Sequence, residues 1–211
     1  MERIQLTTLE ESGAERRERA DAAANRALIL QTAERLFAER GVAAVCMAEI
    51  AEAAGVGKGT LYRRFANKAE LCLSLMDRQM GEFQNDMLAR FQGQNAAGLS
   101  HLEQLAQFLE ALVSFTERHS PLLLEVERGG LSEERLNLPH FWQFMTVGAL
   151  LNAAARKGEL VSDLDLEYLG EALLAPLQVD IFRFQRDVRG YSLDRISAGL
   201  RSLVERLADR D

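Results

Sequence analysis

The segment from residue 56 to residue 68 carries Lys58, Arg63, Arg64 and Lys68 and no acidic residue, in a chain of 211 residues whose formal net charge is −7. Just upstream, Ile50, Ala51, Gly55 and Val56 are spaced for two short helices crossing at a tight turn. Ala51 is small where the helices meet, and Gly55 can take the positive φ that the turn needs. Few arrangements satisfy both constraints, and a helix-turn-helix is the simplest. An acidic chain that concentrates cations on one short helix offers that helix to a polyanion, and the steep helix pair makes duplex DNA the expected one.

The charge is divided along the chain. Residues 15–70 hold ten basic and eight acidic side chains, whereas residues 71–211 hold fourteen basic and twenty-one acidic. The front is therefore the expected nucleic-acid end, and phosphate should repel the back. Two cysteines, Cys46 and Cys72, are too few for a disulfide framework and fit a reducing cytosol. Charged residues at Glu2, Arg3, Glu10 and Glu11 interrupt any signal-peptide core, and no apolar run approaches membrane-spanning length. A cytoplasmic protein without a membrane partner is expected.

Periodicity predicts an all-α fold with about nine or ten helices, because no stretch alternates with period two for long enough to argue for a sheet. Ile29, Ala33, Leu36 and Phe37 mark a first helix stopping at Gly41. Helices are then expected over about 47–54 and 58–65, and a long fourth opens at Asn67-Lys68-Ala69-Glu70, which reads as a capping box. Ser100 opens a helix to about His119, and Ser120-Pro121 another, stopped by Gly129-Gly130. Pro139 starts the next, Ser162-Asp163 precedes one reaching about Val188, and Ser192 caps the last. The domain reading is a mobile arm over 1–20, a helix-turn-helix domain over 21–67, and a C-terminal helical domain over 68–211.

Ile50, Val56, Leu61 and Phe65 supply the apolar faces that lock the pair against the first helix. Lys58, Gly59, Thr60, Tyr62, Arg63 and Arg64 are left to point outward. Glycines at 57 and 59 let backbone approach phosphate, Thr60 can meet a base edge or a thymine methyl, and Tyr62 and Lys68 are placed for phosphate. Gly57-Lys58-Gly59-Thr60 is not a nucleotide loop, since glycine follows the lysine and no strand precedes it.

At these residues the chain resembles the TetR family of one-component bacterial regulators. The matching stretch runs over about 29–71 and includes Ala33-Glu-Arg-Leu-Phe37, Gly41, Ile50-Ala51, Gly55-Val56, Lys58-Gly-Thr-Leu-Tyr-Arg63, Phe65 and Lys68. The resemblance implies that the third helix enters the major groove. It also implies that a divergent helical C-terminal domain forms the dimer and holds a small-molecule pocket, and that Thr60, Tyr62, Arg63 and Lys68 inherit DNA-contact roles. Cys46 and Gly57 depart from the family pattern, which has Ser or Thr ahead of the second helix and often Ser ahead of the third. A thiol caps poorly, so the second helix stands to lose on the order of 1 kcal/mol.

Elsewhere the residues admit two readings. Phe141-Trp142-Gln-Phe144-Met145, Phe108, Phe115, Ile181, Phe182 and Phe184 are either core or the walls of a pocket between helices. Phe115, Trp142 and Phe182 are the candidate walls, and Asp180, polar in an apolar run, is the candidate for orienting a ligand. Leu169, Leu173 and Leu177, with Ile196, Leu200, Leu203 and Leu207, are either intrachain packing or a four-helix interface across a two-fold axis, and the interface is the expectation. Cys46 and Cys72 read as small buried hydrophobes, with a redox switch as the alternative. His101, His119 and His140 lack metal-ligand spacing, and no catalytic constellation is legible, so no metal, cofactor or enzymatic activity is expected.

The reading at this stage is a homodimeric regulator that binds double-stranded operator DNA as a repressor and is released by a small hydrophobic or aromatic effector. The alternatives are an activator, an effector-independent DNA-binding protein, or a cysteine-based redox-responsive regulator on the same scaffold.

Overall fold

The computed structural model describes residues 13–130 and 133–208, with side chains described from residue 17 onward and not over 131–140. Among the described residues there are nine α-helices and no strands, only an isolated bridge between Leu160 and Ala208. They fall into two compact units divided after Lys68.

The first unit comprises α1 (Gly13–Arg40), α2 (Met47–Ala53) and α3 (Lys58–Arg64). Helix α1 starts within the segment expected to be a mobile arm. The alanines at the end of that segment and just beyond, Ala20, Ala22, Ala23 and Ala24, favour helix, since alanine is the best helix former. Its buried stripe is Ile29, Leu30, Ala33, Leu36 and Phe37. Val42, Val45, Met47, Ile50, Ala51, Ala54, Leu61 and Phe65 complete the core of the unit.

The second unit contains α4 (Lys68–Ala96, from its second residue), α5 (His101–Arg128), α6 (Glu133–Arg156), α7 (Leu166–Leu174), α8 (Val179–Arg183) and α9 (Leu193–Glu205). Helix α5 runs through its middle. Leu105, Phe108, Leu109, Leu112 and Val113 are sealed from solvent and share a core with Val147, Leu151 and Ala154 of α6, Leu173 and Leu174 of α7, Phe182 of α8, and Ile196, Leu200 and Val204 of α9. Polar ties fix the ends. Ser100 caps α5 by accepting from the Glu103 amide at 3.1 Å, and Glu159 accepts from the Leu102 amide at 3.1 Å while meeting His101 at 2.8 Å. Arg186 reaches Glu117 of α5 at 2.9 Å, and Arg201 of α9 reaches Glu103 at 3.0 Å.

Three further boundaries differ from the sequence expectation. Pro121 does not separate two helices but lies inside α5. A proline cannot donate to the carbonyl four residues back, and here the Ser120 hydroxyl donates to that Glu117 carbonyl instead, at 3.2 Å. Helix α6 begins at Glu133, upstream of Pro139. The single helix expected to reach Val188 is broken. Asp165, not Ser162 or Asp163, caps α7 by accepting from the Tyr168 amide at 3.1 Å. Pro176 then forces a short 3₁₀ turn, Ala175–Leu177, and the extended backbone of Gln178 (ψ 137°) restarts the chain as α8, which runs into a π turn over Phe184–Val188.

Candidate nucleic-acid interface

Helix α2 is held at its start by a capping box between Cys46 and Glu49, in which the acid supplies the charged half. The Glu49 carboxylate accepts the Cys46 backbone N–H at 2.8 Å and pairs with Arg40, from the end of α1, at 2.8 Å. The Cys46 amide first and the Arg40 guanidinium second hold this carboxyl down at about 2. The cap thus survives the thiol at 46, because the reciprocal half of the motif does not need a hydroxyl. Cys46 itself is exposed, which corrects its reading as a buried hydrophobe, while Cys72 is buried as expected.

The turn follows. Ala54 donates to Ile50 at 2.9 Å, Gly55 to Glu52 and Val56 to Ala51, each at 3.0 Å. Gly55 takes φ +65°, the conformation for which glycine is needed. Helix α3 is anchored by Leu61, fully buried, and Phe65, nearly so, while Val56 is half-buried. Its other residues face away from that anchor. Lys58, Gly59, Tyr62 and Arg63 are exposed, Thr60, Arg64 and Lys68 half-exposed, and no acid lies on the helix. A side chain at Gly59 would meet nothing within 4 Å, so the protein's own packing does not demand the glycine there. Bare backbone on the outward face is what the glycine provides. The geometry is that of a cationic helix able to enter a groove, with a tyrosine and bare amides on its outward side.

Two cations flank this helix over aromatic faces. The Lys68 ammonium lies 5.9 Å from the centre of the Phe37 ring, and the Arg26 guanidinium lies 5.5 Å from that of Phe65, the residue closing α3. Arg26 went unremarked in the sequence. Its signal is a basic residue one turn ahead of the apolar stripe of α1.

In the C-terminal unit the expected ligand residues do not converge. Phe115 lines a groove of about 590 Å³ with Phe83, Met87, Arg90, Arg118 and Arg201. Phe182 lines a different one of about 440 Å³, with Glu117, Pro121, Leu124, Arg183 and Arg186. Trp142 is packed edge-on against Phe83 and Phe108, at 6.1 and 5.6 Å between ring centres. Asp180 is exposed, and its charge acts on Glu127, which burial and Asp180 together push up. The expected dimer stripe is also redistributed. Leu173, Leu177, Ile196 and Leu200 are buried inside the chain, Leu169 and Leu207 pack half-buried against the same core, and Leu203 alone of the set is exposed. An amphipathic stripe shows that a face is buried and leaves its partner open; here the chain itself supplies it. No group of three or more His, Cys, Asp or Glu that could hold a metal occurs among the described residues.

The family model for bacterial regulatory proteins of the tetR family matches residues 29–75, the stretch that builds this helix pair. An HTH-type transcriptional regulator of Staphylococcus aureus is 30% identical over 176 residues, covering 83% of this chain and 90% of that protein. The chain belongs to the TetR family. Solved structures share the fold across its length. A Saccharomonospora viridis transcriptional regulator in complex with choline superposes with a TM-score of 0.72 at 21% identity, covering 89% of this chain and all of that one. FadR of Thermus thermophilus, a TetR-family repressor in complex with lauroyl-CoA, does so with a TM-score of 0.63 at 24% identity, covering 88% of this chain and 96% of that one. In TetR-family terms the first unit is the helix-turn-helix domain and the second is the helical C-terminal domain. Among the described residues no helix is long and apolar enough to cross a membrane.

Proposed function

We propose that this TetR-family regulator is a repressor that binds a quasi-palindromic operator as a homodimer. Two copies of α3 would occupy successive major grooves about 34–36 Å apart. The observation that carries the reading is the outward face of α3, where Lys58, Tyr62 and Arg63 are exposed on a helix that carries no acid, while Leu61 and Phe65 fix the helix from behind. Thr60, Arg64 and Lys68 complete the DNA contacts in this reading, with Gly59 supplying the close backbone approach.

The dimer falls to the apolar residues that the intrachain core leaves over. Tyr168, Ile181, Phe184, Val188 and Leu203 are all exposed, Tyr168 at 74% and Val188 at 69%. They replace Leu173, Leu177, Ile196 and Leu200 as the proposed interface, because a side chain already buried in its own chain has little area left for a second copy. For the effector, both grooves have volumes in the range of small-molecule sites. Phe83 and Phe115 place an aromatic patch in the larger groove among charged residues such as Arg90, Glu110 and Arg118. This suits a compound with a hydrophobic or aromatic body and a polar group, and the choline and lauroyl-CoA complexes of the two solved relatives support a small-molecule effector. Such a ligand shifts DNA affinity only by its differential affinity for the DNA-bound and the released states of the protein.

Tyr62→Ala and Lys68→Ala should each weaken binding to a promoter fragment in a gel-shift titration while leaving the dimer intact by sedimentation. Unchanged affinity in both variants would refute the docking. A hydrophobic compound that raises the melting temperature and also lowers promoter affinity would support the effector.

A further inference from the structure

The cations of the DNA-reading unit divide into two sets. Arg35 is paired with Glu39 at 2.9 Å and Arg40 with Glu49 at 2.8 Å, so both are neutralised within the protein. Lys58 and Arg63 are exposed on α3 and have no such partner among the described residues. Arg26 belongs with them, although it lies on α1. The positions three and four residues away on either side are Ala22, Ala23, Ile29 and Leu30, none of which can neutralise it. It is exposed, and its guanidinium lies over Phe65 at 5.5 Å.

That placement has two consequences. Phe65 directly follows Arg63 and Arg64 and closes α3, so a cation from α1 is held at the end of the recognition helix. A guanidinium against a ring uses its face, and its N–H donors, which lie in the plane, stay free for an oxyanion. A flexible exposed arginine loses rotamer entropy on meeting phosphate, and the ring has already restricted this one.

We infer that Arg26 is a phosphate contact of the DNA complex, a backbone anchor contributed by α1 beside the end of α3. The inference rests on the DNA-binding reading above and adds to it a residue outside the helix-turn-helix. As a phosphate contact, Arg26 contributes affinity and salt dependence to every sequence alike and selects none.

The test is a salt titration of binding to a random-sequence 30-base-pair duplex and to a promoter fragment, with wild type, Arg26→Met, Arg26→Gln, Arg26→Lys and Arg63→Ala. Arg26→Met and Arg26→Gln should each flatten the slope of log K against log salt by about one per bound subunit, on both duplexes equally. The wild-type advantage should shrink about three- to fourfold per bound subunit between about 50 and 200 mM salt. Arg26→Lys should keep the slope. If the neutral variants keep the wild-type slope while Arg63→Ala weakens binding, the assignment of Arg26 is overturned and the docking of α3 stands. If Arg63→Ala leaves binding unchanged too, the DNA-binding reading itself fails. A lower melting temperature in the neutral variants with an unchanged slope makes Arg26 structural, and loss of slope in Arg26→Lys shows that charge is not its contribution; either result overturns the proposal.

Discussion

Replacing Gly129 with alanine tests a tight approach between α5 and the start of α4 in the C-terminal unit. Gly129 caps α5 with φ −75° and ψ −2°, a conformation open to any residue, so its backbone does not require glycine. Space does. A β-carbon at 129 would fall on the β-carbon of Ala69, at the start of α4, far inside a normal carbon–carbon contact, whereas the Glu125 and Val126 carbonyls, at 3.4 Å, would be in ordinary contact. A β-carbon has no torsion by which to escape, so the first turn of α4 or the last turn of α5 must move. Overpacking of this kind costs about 1–3 kcal/mol, and the upper end is expected where both clashing atoms are bonded to backbone. Ala69→Gly removes the obstruction but carries its own penalty. Glycine in a helix costs about 1 kcal/mol, and the buried methyl that is lost contributes about 0.8 kcal/mol. Were the two changes independent, the double variant would be about 3–5 kcal/mol less stable than wild type. Relief of the clash should instead return about 1–3 kcal/mol, a favourable coupling that only direct contact explains. Trp142 is the only tryptophan in the chain and packs in this unit, so its fluorescence in a urea titration reports on the right part of the molecule. A Gly129→Ala protein as stable as wild type, or a strictly additive double variant, would refute the reasoning.

Three further outcomes follow from the geometry. The Glu49 carboxyl sits at about 2, below its ordinary 4.5, so the stabilisation it gives is fully present above about 4.5 and is lost as pH falls toward 2. Glu49→Gln should therefore be less stable than wild type at neutral pH, with the gap in melting temperature closing between pH 5 and about 2. Pro121→Ala should stabilise the protein by on the order of 1 kcal/mol by thermal melting, because the helix regains an N–H donor to Glu117 and the entropy gained by the unfolded chain offsets only part of this. A thiol-reactive dye should label Cys46 in the native protein and reach Cys72 only on unfolding, and rapid labelling of both would contradict the burial of Cys72.

The helix-turn-helix was legible because its determinants are local. Ile50, Ala51, Gly55, Leu61 and Phe65 lie within a short span, and each answers a requirement set by its near neighbours, a tight turn or one small core. Cys46 shows the limit even there. Its weakness as a cap was visible in the sequence, but the compensation by Arg40 on Glu49 spans from α1 to α2 and required the fold. In the C-terminal unit the residues predicted to work together separated. Phe115 and Phe182 line different grooves, Asp180 faces solvent, and most of the predicted leucine stripe is taken up by the chain's own core, α9 closing on α5 and α7 on α6. Pro121 and Pro176 look alike as helix breakers. One was absorbed, because Ser120 satisfies the freed carbonyl and Leu122 and Val126 bury the helix beyond it, while the other broke its helix.

By itself the amino-acid order determined the helical class, the cationic third helix and the family, because helical period, turn stereochemistry and charge density are properties of neighbouring residues. Tertiary structure alone decided which apolar faces the chain consumes in its own core, which arginines it neutralises, and that Arg26 meets Phe65 at the end of α3. Those outcomes depend on which distant segments come together, and an amphipathic pattern encodes that a face is buried without encoding against what.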